Sequence, residues 1–125
     1  MAMTNSFALI IEDDYDAAII FAKSLEAADF ETEIIRDGQD ALERLAEVVP
    51  DVVVLDLHLP HVAGRDILNH IRADERLSDV RVLVASADPQ ASEYLQDTAD
   101  LILLKPVSFT QMRDLAKRLK SAGSR

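Results

Sequence analysis

The chain has 125 residues, enough for one domain with a real core but too few for a second folded module. Apolar residues make up 49% and charged residues 29%, a globular balance, and no stretch reaches the ~18 consecutive apolar residues of a membrane-spanning helix. A net charge of −10, from 23 acids against 13 Lys and Arg, argues against direct nucleic-acid binding, whose affinity comes largely from neutralising phosphates.

There is no cysteine, hence no disulfide and no thiolate metal site, which suits a cytoplasmic setting. The first apolar run, residues 7–11, is too short for a secretion signal and runs into Glu12-Asp13-Asp14. It reads as a buried strand. A helix follows near 15–28, with Asp14 as its cap and Ala18, Phe21, Leu25 and Ala28 as an apolar stripe at helical spacing. That leaves Ala17 and Ile20 beside the acidic run. The second strand, 30–35, alternates and carries Glu31 and Glu33, which suits a sheet edge.

A helix over 39–48 leads to a third, wholly apolar strand at 52–55, followed at once by Asp56. Gly64 opens the next helix, 64–73, as a backbone requirement near a turn. The fourth strand, 80–85, delivers Ser86, and Asp88-Pro89 supplies an N-cap and a first-turn proline for a helix over 89–97. The fifth strand, 101–104, ends in Lys105-Pro106. Ser108 and Gln111 form a possible capping box for a last helix, 108–121, whose Phe109, Met112, Ala116 and Leu119 should face the core. His61 and His70 read as solvated surface residues, and Tyr94 carries no assigned chemistry.

Strand–helix alternation at this spacing predicts right-handed βαβ units and a doubly wound α/β sheet, within one domain spanning 1–125 with a core of about 6–121. Open parallel sheets bind ligands outside the carboxyl ends of their strands. Glu12, Asp13, Asp56, Ser86 and Lys105 all fall there. Crowded carboxylates call for a divalent cation, and few hard oxygen ligands suit Mg²⁺. Such a cation can cancel the repulsion between an anionic phosphoryl donor and a carboxylate nucleophile. Asp56 is the candidate nucleophile, because carboxylates form aspartyl-phosphates. Ser86 can donate a hydrogen bond to a phosphoryl oxygen, and Lys105 can neutralise another.

From Phe7 to about Leu119 the chain resembles a response-regulator receiver domain of two-component signalling. The matching segments are LIIEDD, PDVVVLDLHLP with Gly64 eight residues after Asp56, VLVASA and LLKP, in order and at family spacing. The resemblance implies a flavodoxin-like (βα)5 fold with strand order 2-1-3-4-5. It implies that Asp56 takes a phosphoryl group from a histidine kinase or histidine phosphotransfer protein and switches a downstream output. Asp13 and Asp56 would ligate Mg²⁺ directly, Glu12 through water, and His58 through its backbone carbonyl. Ser86 and Lys105 would take the switch and charge-neutralising roles, and Lys105-Pro106 would be cis. The chain would be a signalling domain and not an enzyme, catalysing only its own phosphorylation and dephosphorylation. No membrane partner is expected, and the assembly state would be a monomer or weak homodimer.

Two positions depart from the family pattern. Ile102 stands where Tyr or Phe is usual, and Val107 where Phe often follows the Lys-Pro pair. Three other readings compete. An aspartyl-phosphate hydrolase usually wants a second Asp two residues after the nucleophile, where this chain has His58. A flavodoxin-like cofactor binder needs a Gly/Ser/Thr-rich loop after the first strand, where this chain has three acids. A pseudo-receiver, a binding module that is never phosphorylated, rests only on Ile102.

Overall fold

The computed structural model describes residues 6–123, with side chains through residue 120; residues 1–5 and 124–125 of the expected domain lie outside it. Five strands, β1 (Ser6–Ile11), β2 (Phe30–Ile35), β3 (Val52–Asp56), β4 (Arg81–Ser86) and β5 (Leu101–Leu104), alternate with five helices. These are α1 (Tyr15–Ala27), α2 (Gly38–Leu45), α3 (Gly64–Ala73), α4 (Ala91–Leu95) and α5 (Phe109–Gly123). An unanticipated 3₁₀ turn, Glu75–Leu77, precedes β4. All the strands pair in parallel in the order β2-β1-β3-β4-β5, the doubly wound flavodoxin-like arrangement expected. β2 is indeed an edge.

Alternate residues of each strand go to opposite faces, and here both faces are apolar. Ala8, Ile10, Val52, Val54 and Leu83 pack against Ala18, Phe21 and Leu25 of α1 and Met112 and Ala116 of α5. Leu9, Ile11, Val53, Leu55 and Val84 pack against α2, α3 and α4 through Leu45, Ile67, Leu68, Ile71 and Leu95. Burying each large aliphatic side chain is worth roughly 1.5–3 kcal/mol, which is what makes the uninterrupted apolar runs fold inward.

Helix ends account for most differences from the sequence reading. Asp14 caps α1 as expected, its Oδ1 accepting from the amides of Asp16 (2.9 Å) and Ala17 (3.3 Å). Asp37 does the same for α2, which starts one residue early, at Gly38. That helix also stops at Leu45 instead of 48, because Pro50 biases Val49 toward extended backbone. Asp88 does not cap α4. Its carboxylate accepts from the Gln90 amide at 2.9 Å and from the Tyr94 hydroxyl, so it closes the preceding loop and the helix begins only at Ala91. The Ser108 hydroxyl accepts from the Gln111 amide at 3.0 Å, the forward half of the expected capping box. Phe109 is not core: it is 39% exposed and lies beneath the Arg113 guanidinium, while Met112 and Ala116 are fully buried. It occupies the first turn of α5, at the rim of the stripe.

Gly64 serves a close approach. A Cβ there would lie 2.3 Å from the Asp56 carbonyl oxygen and 2.6 Å from the Leu57 Cα, and its amide donates to the Leu57 carbonyl at 3.1 Å. The start of α3 is thereby pressed against the end of β3. Gly64→Ala should cost roughly 1–3 kcal/mol, the usual range for forced overpacking, measured by urea denaturation. A variant as stable as the parent would show that this loop yields freely.

Candidate functional site

Because the strands are parallel, their carboxyl ends share one edge, and the register fixes which side chains meet there. Asp56 lies opposite Ala85, so Ser86 projects one residue beyond. Ser86 pairs with Leu104, and the Lys105 amide donates to the Ser86 carbonyl at 2.8 Å. The Lys105-Pro106 bond is cis. The Lys105 Nζ then lies 2.8 Å from Glu12 Oε1 and 3.5 Å from Asp56 Oδ1, joining the ends of β1, β3 and β5. Glu12, Asp56 and Ser86 are all buried.

Burial pushes the Glu12 carboxyl above the usual range. Lys105 and the Asp14 amide, which donates to Glu12 Oε2 at 3.1 Å, pull it back, while the Asp56 charge adds to the rise. For Lys105 burial works against the ammonium, but the close pairing with Glu12 and the charges of Asp56 and Glu12 outweigh it and its pKa is raised. Glu12 Oε1 is at ion-pair distance from Lys105 yet has no well-directed hydrogen bond. The contact is a charge pairing.

The remaining expected residues surround this pair. Asp56 Oδ1 accepts from the His58 amide at 3.2 Å, and the His58 side chain is exposed. Asp13 is exposed, and its carbonyl accepts from Arg36 Nε (3.2 Å) and Nη2 (3.1 Å), which fastens the β1–α1 loop to the end of β2. Ser86 Oγ accepts from the Asp88 amide at 3.0 Å. Among the described residues no three acids or histidines form a ready-made metal cluster. The donor chemistry still fits a hard divalent cation. Glu12, Asp13, Asp56 and the His58 carbonyl offer only oxygens, and the buried Glu12 Oε1 lacks a directed donor.

Two arrangements went unread in the sequence. The Tyr94 hydroxyl donates to Asp88 Oδ2 at 2.9 Å, and the Arg65 guanidinium sits 4.9 Å from the Tyr94 ring centroid. His61 is exposed as expected, but its Nδ1 pairs with Asp37 Oδ2 and its backbone is left-handed at φ 70°. Neither pairing has a periodic signature, since the partners meet only when separate loops fold together. His70 is exposed.

An open 2-1-3-4-5 sheet with acids, a hydroxyl and a lysine at its carboxyl edge is the receiver class of signalling domain. The family model for the response regulator receiver domain matches residues 8–117, and the chain belongs to that family, a component of two-component signalling. It is similar to RpaA of Synechocystis, a DNA-binding dual master transcriptional regulator, at 33% identity over 83% of this chain and 44% of that protein. Among solved structures it resembles the signal receiver domain of a signal transduction histidine kinase from Syntrophus aciditrophicus, with TM-score 0.85, 26% identity and coverage of 96% and 93% of the two chains. It also shares its fold with the receiver domain of sensor histidine kinase PA1611 from Pseudomonas aeruginosa, solved with a magnesium ion coordinated in the active site cleft. There the TM-score is 0.83, the identity 21% and the coverage 94% and 99%. The chain spans only 19% to 44% of several curated relatives. RpaA binds DNA, so the expectation of no nucleic-acid contact does not extend to such longer relatives; the charge argument concerns these 125 residues. Among the described residues no helix is long and apolar enough to cross a membrane.

Lys105→Ala leaves Glu12 buried without its cation, which should cost about 3 kcal/mol. The raised Glu12 pKa links folding to proton uptake, so this group's contribution grows as pH falls through the folded value toward the ordinary 4.5. The loss should therefore be largest at about pH 7 and shrink toward about pH 5, read by urea denaturation at each. Equal losses at the two would mean that Glu12 does not titrate in the fold.

Proposed function

We propose that the chain accepts a phosphoryl group on Asp56 from a phosphohistidine donor, a histidine kinase or a histidine phosphotransfer protein, and passes the change to a downstream partner. The observation that carries this reading is the Lys105 ammonium bridging Glu12 Oε1 and Asp56 Oδ1 at the carboxyl edge of the sheet. Asp56 Oδ1 is engaged by Lys105 and the His58 amide, which presents Oδ2 as the attacking atom. That oxygen forms its bond to phosphorus as the phosphorus–nitrogen bond of the donor breaks, and the imidazole nitrogen leaves with the electron pair. Lys105 neutralises a phosphoryl oxygen, and Ser86 donates to another. Glu12, Asp13, Asp56 and the His58 carbonyl would hold Mg²⁺, which when bound supplies charge cancellation between carboxylate and donor.

A depression of about 400 Å³ beside the site is lined by Ala17, Ile20, Phe21, Pro106 and Val107, with Asp14 and Lys105 at its rim. Ile20 is 42% exposed there. An apolar groove next to the acceptor suits a helical donor. The unit acts as a single cytoplasmic receiver domain spanning residues 1–125, monomeric or weakly dimeric, and catalyses only its own phosphorylation and dephosphorylation.

Incubation with Mg²⁺ and acetyl phosphate should add one phosphoryl mass to the intact chain, and Asp56→Asn should abolish the gain. A label that persists in the variant would move the acceptor elsewhere.

Asp14 is committed to the amides of α1, whereas the Asp13 side chain is exposed at the site mouth. Asp13→Ala should weaken Mg²⁺ binding by at least the ~10-fold that even outer-shell groups command. Asp14→Ala should cost about 1 kcal/mol of stability as a lost cap and leave Mg²⁺ affinity nearly unchanged. Titration calorimetry reads both, and equal weakening would overturn the assignment of Asp13.

A further inference from the structure

The loop between β4 and α4 carries an unbroken line of contacts from the buried site to the surface. It begins at Ser86, whose side chain is buried and whose Oγ accepts from the Asp88 amide at 3.0 Å. Asp88 then divides its carboxylate: Oδ1 accepts from the Gln90 amide at 2.9 Å and Oδ2 from the Tyr94 hydroxyl at 2.9 Å. The Tyr94 ring is half exposed on α4, and the Arg65 guanidinium of α3 stands 4.9 Å from its centroid. Three elements, β4, α4 and α3, are thus tied through one carboxylate and one phenol. Ile102 borders the same loop, in a small depression of about 80 Å³ shared with Asp88, Pro89 and Ser92. β5 supplies no aromatic ring to fill that space.

We infer that Tyr94 reports the state of Asp56, through Ser86 and Asp88, to the surface between α3 and α4. This rests on the phosphoacceptor reading given above. An acyl phosphate adds roughly −2 charge and strong acceptor oxygens at Asp56. When the Ser86 hydroxyl swings to donate to one of them, its lone pair leaves the Asp88 amide. Asp88 keeps its bonds to the Gln90 and Ala91 amides, which lie in the same loop and the start of α4 and move with it, so the loop shifts and the carboxylate releases the phenol. Tyr94 then also loses its position under Arg65, where a cation–π contact is worth only about 0.5–1 kcal/mol at an exposed site. The element that moves is small and weakly held: α4 is five residues long, and only Ala91 and Leu95 anchor it in the core. A bistable loop of this kind is what a local charge change can bias.

The phenol gives the test its readout. The chain has two tyrosines and no tryptophan, so Tyr15→Phe leaves Tyr94 as the single tyrosine emitter. A phenol donating to a carboxylate emits weakly, and release raises the emission. Mg²⁺ with beryllofluoride, a phosphoryl stand-in, is added while bound fluoride is followed separately by fluorine magnetic resonance. The expected result is bound beryllofluoride together with increased Tyr94 emission, and loss of the emission change in the further variant Ser86→Ala. The variant Tyr94→Phe should still gain one phosphoryl mass from acetyl phosphate at the parental rate, since Tyr94 stands outside the reacting groups. Beryllofluoride bound with unchanged emission overturns the Tyr94 route and leaves the phosphoacceptor reading standing. Beryllofluoride that fails to bind overturns both. An emission change that survives Ser86→Ala also overturns the route, because the signal would then bypass the hydroxyl.

Discussion

Every central strand of this sheet is covered by helices on both faces, so no charged side chain has an acceptable place along its length. A carboxylate in the middle of β1 or β3 would sit among Leu, Ile and Val with no water and no partner, at a cost of several kcal/mol. Polar groups must therefore wait for the strand ends. Parallel pairing then puts all the carboxyl ends on one edge, and the chemistry of β1, β3, β4 and β5 is gathered there by a packing rule. The Glu12–Lys105 pair follows from the same constraint: Glu12 is the first residue past the apolar run of β1, still buried, and its charge is tolerable only because β5 delivers an ammonium 2.8 Å away.

The acidity of the chain has a second use besides the site. Asp14, Asp37, Asp56, Asp74 and Asp88 each accept a hydrogen bond from the amide two residues on, so each bends its own backbone at the end of a strand or the start of a helix or turn. Asp51 and Asp100 accept from the amides of Phe7 and Val82 at the opposite edge of the sheet. Part of the −10 charge is therefore structural, engaged by backbone donors. Asp56 belongs to both groups: its Oδ1 accepts from the His58 amide and also lies beside the Lys105 ammonium at the carboxyl edge.

Tension between rigidity and movement is resolved by position along the edge. The β1–α1 loop is tied down by Arg36, and the loop after β3 by the closeness of Gly64 and the His61–Asp37 pair. The loop after β4 is held by the bonds among Ser86, Asp88 and Tyr94 and by the Gln90 and Ala91 amides, which donate to Asp88, above a five-residue helix. The loops carrying Asp13 and His58 are thus tied to neighbouring elements, whereas the loop after β4 is held mainly by bonds within itself and to α4.

The five strands and the gathering of Glu12, Asp13, Asp56, Ser86 and Lys105 at their carboxyl ends were legible in the sequence, because burial on both faces leaves continuous apolar runs that end abruptly in polar groups; the strand order followed from the family resemblance and not from those runs. The cap at Asp14 was equally legible, since an N-cap acts within its own three neighbours. Helix ends were less so: Asp88-Pro89 has the composition of a cap, yet the Tyr94 hydroxyl six residues away competes for that carboxylate. Phe109 kept helical spacing but fell at the rim of the core, because spacing gives a side chain's direction and not how far the facing layer extends. The pairing of Lys105 with Glu12, of Arg65 with Tyr94 and of His61 with Asp37 was decided only by the tertiary structure. Such contacts join residues at least 24 apart in sequence, and depend on distances between loop ends that no local pattern of apolar and polar residues encodes.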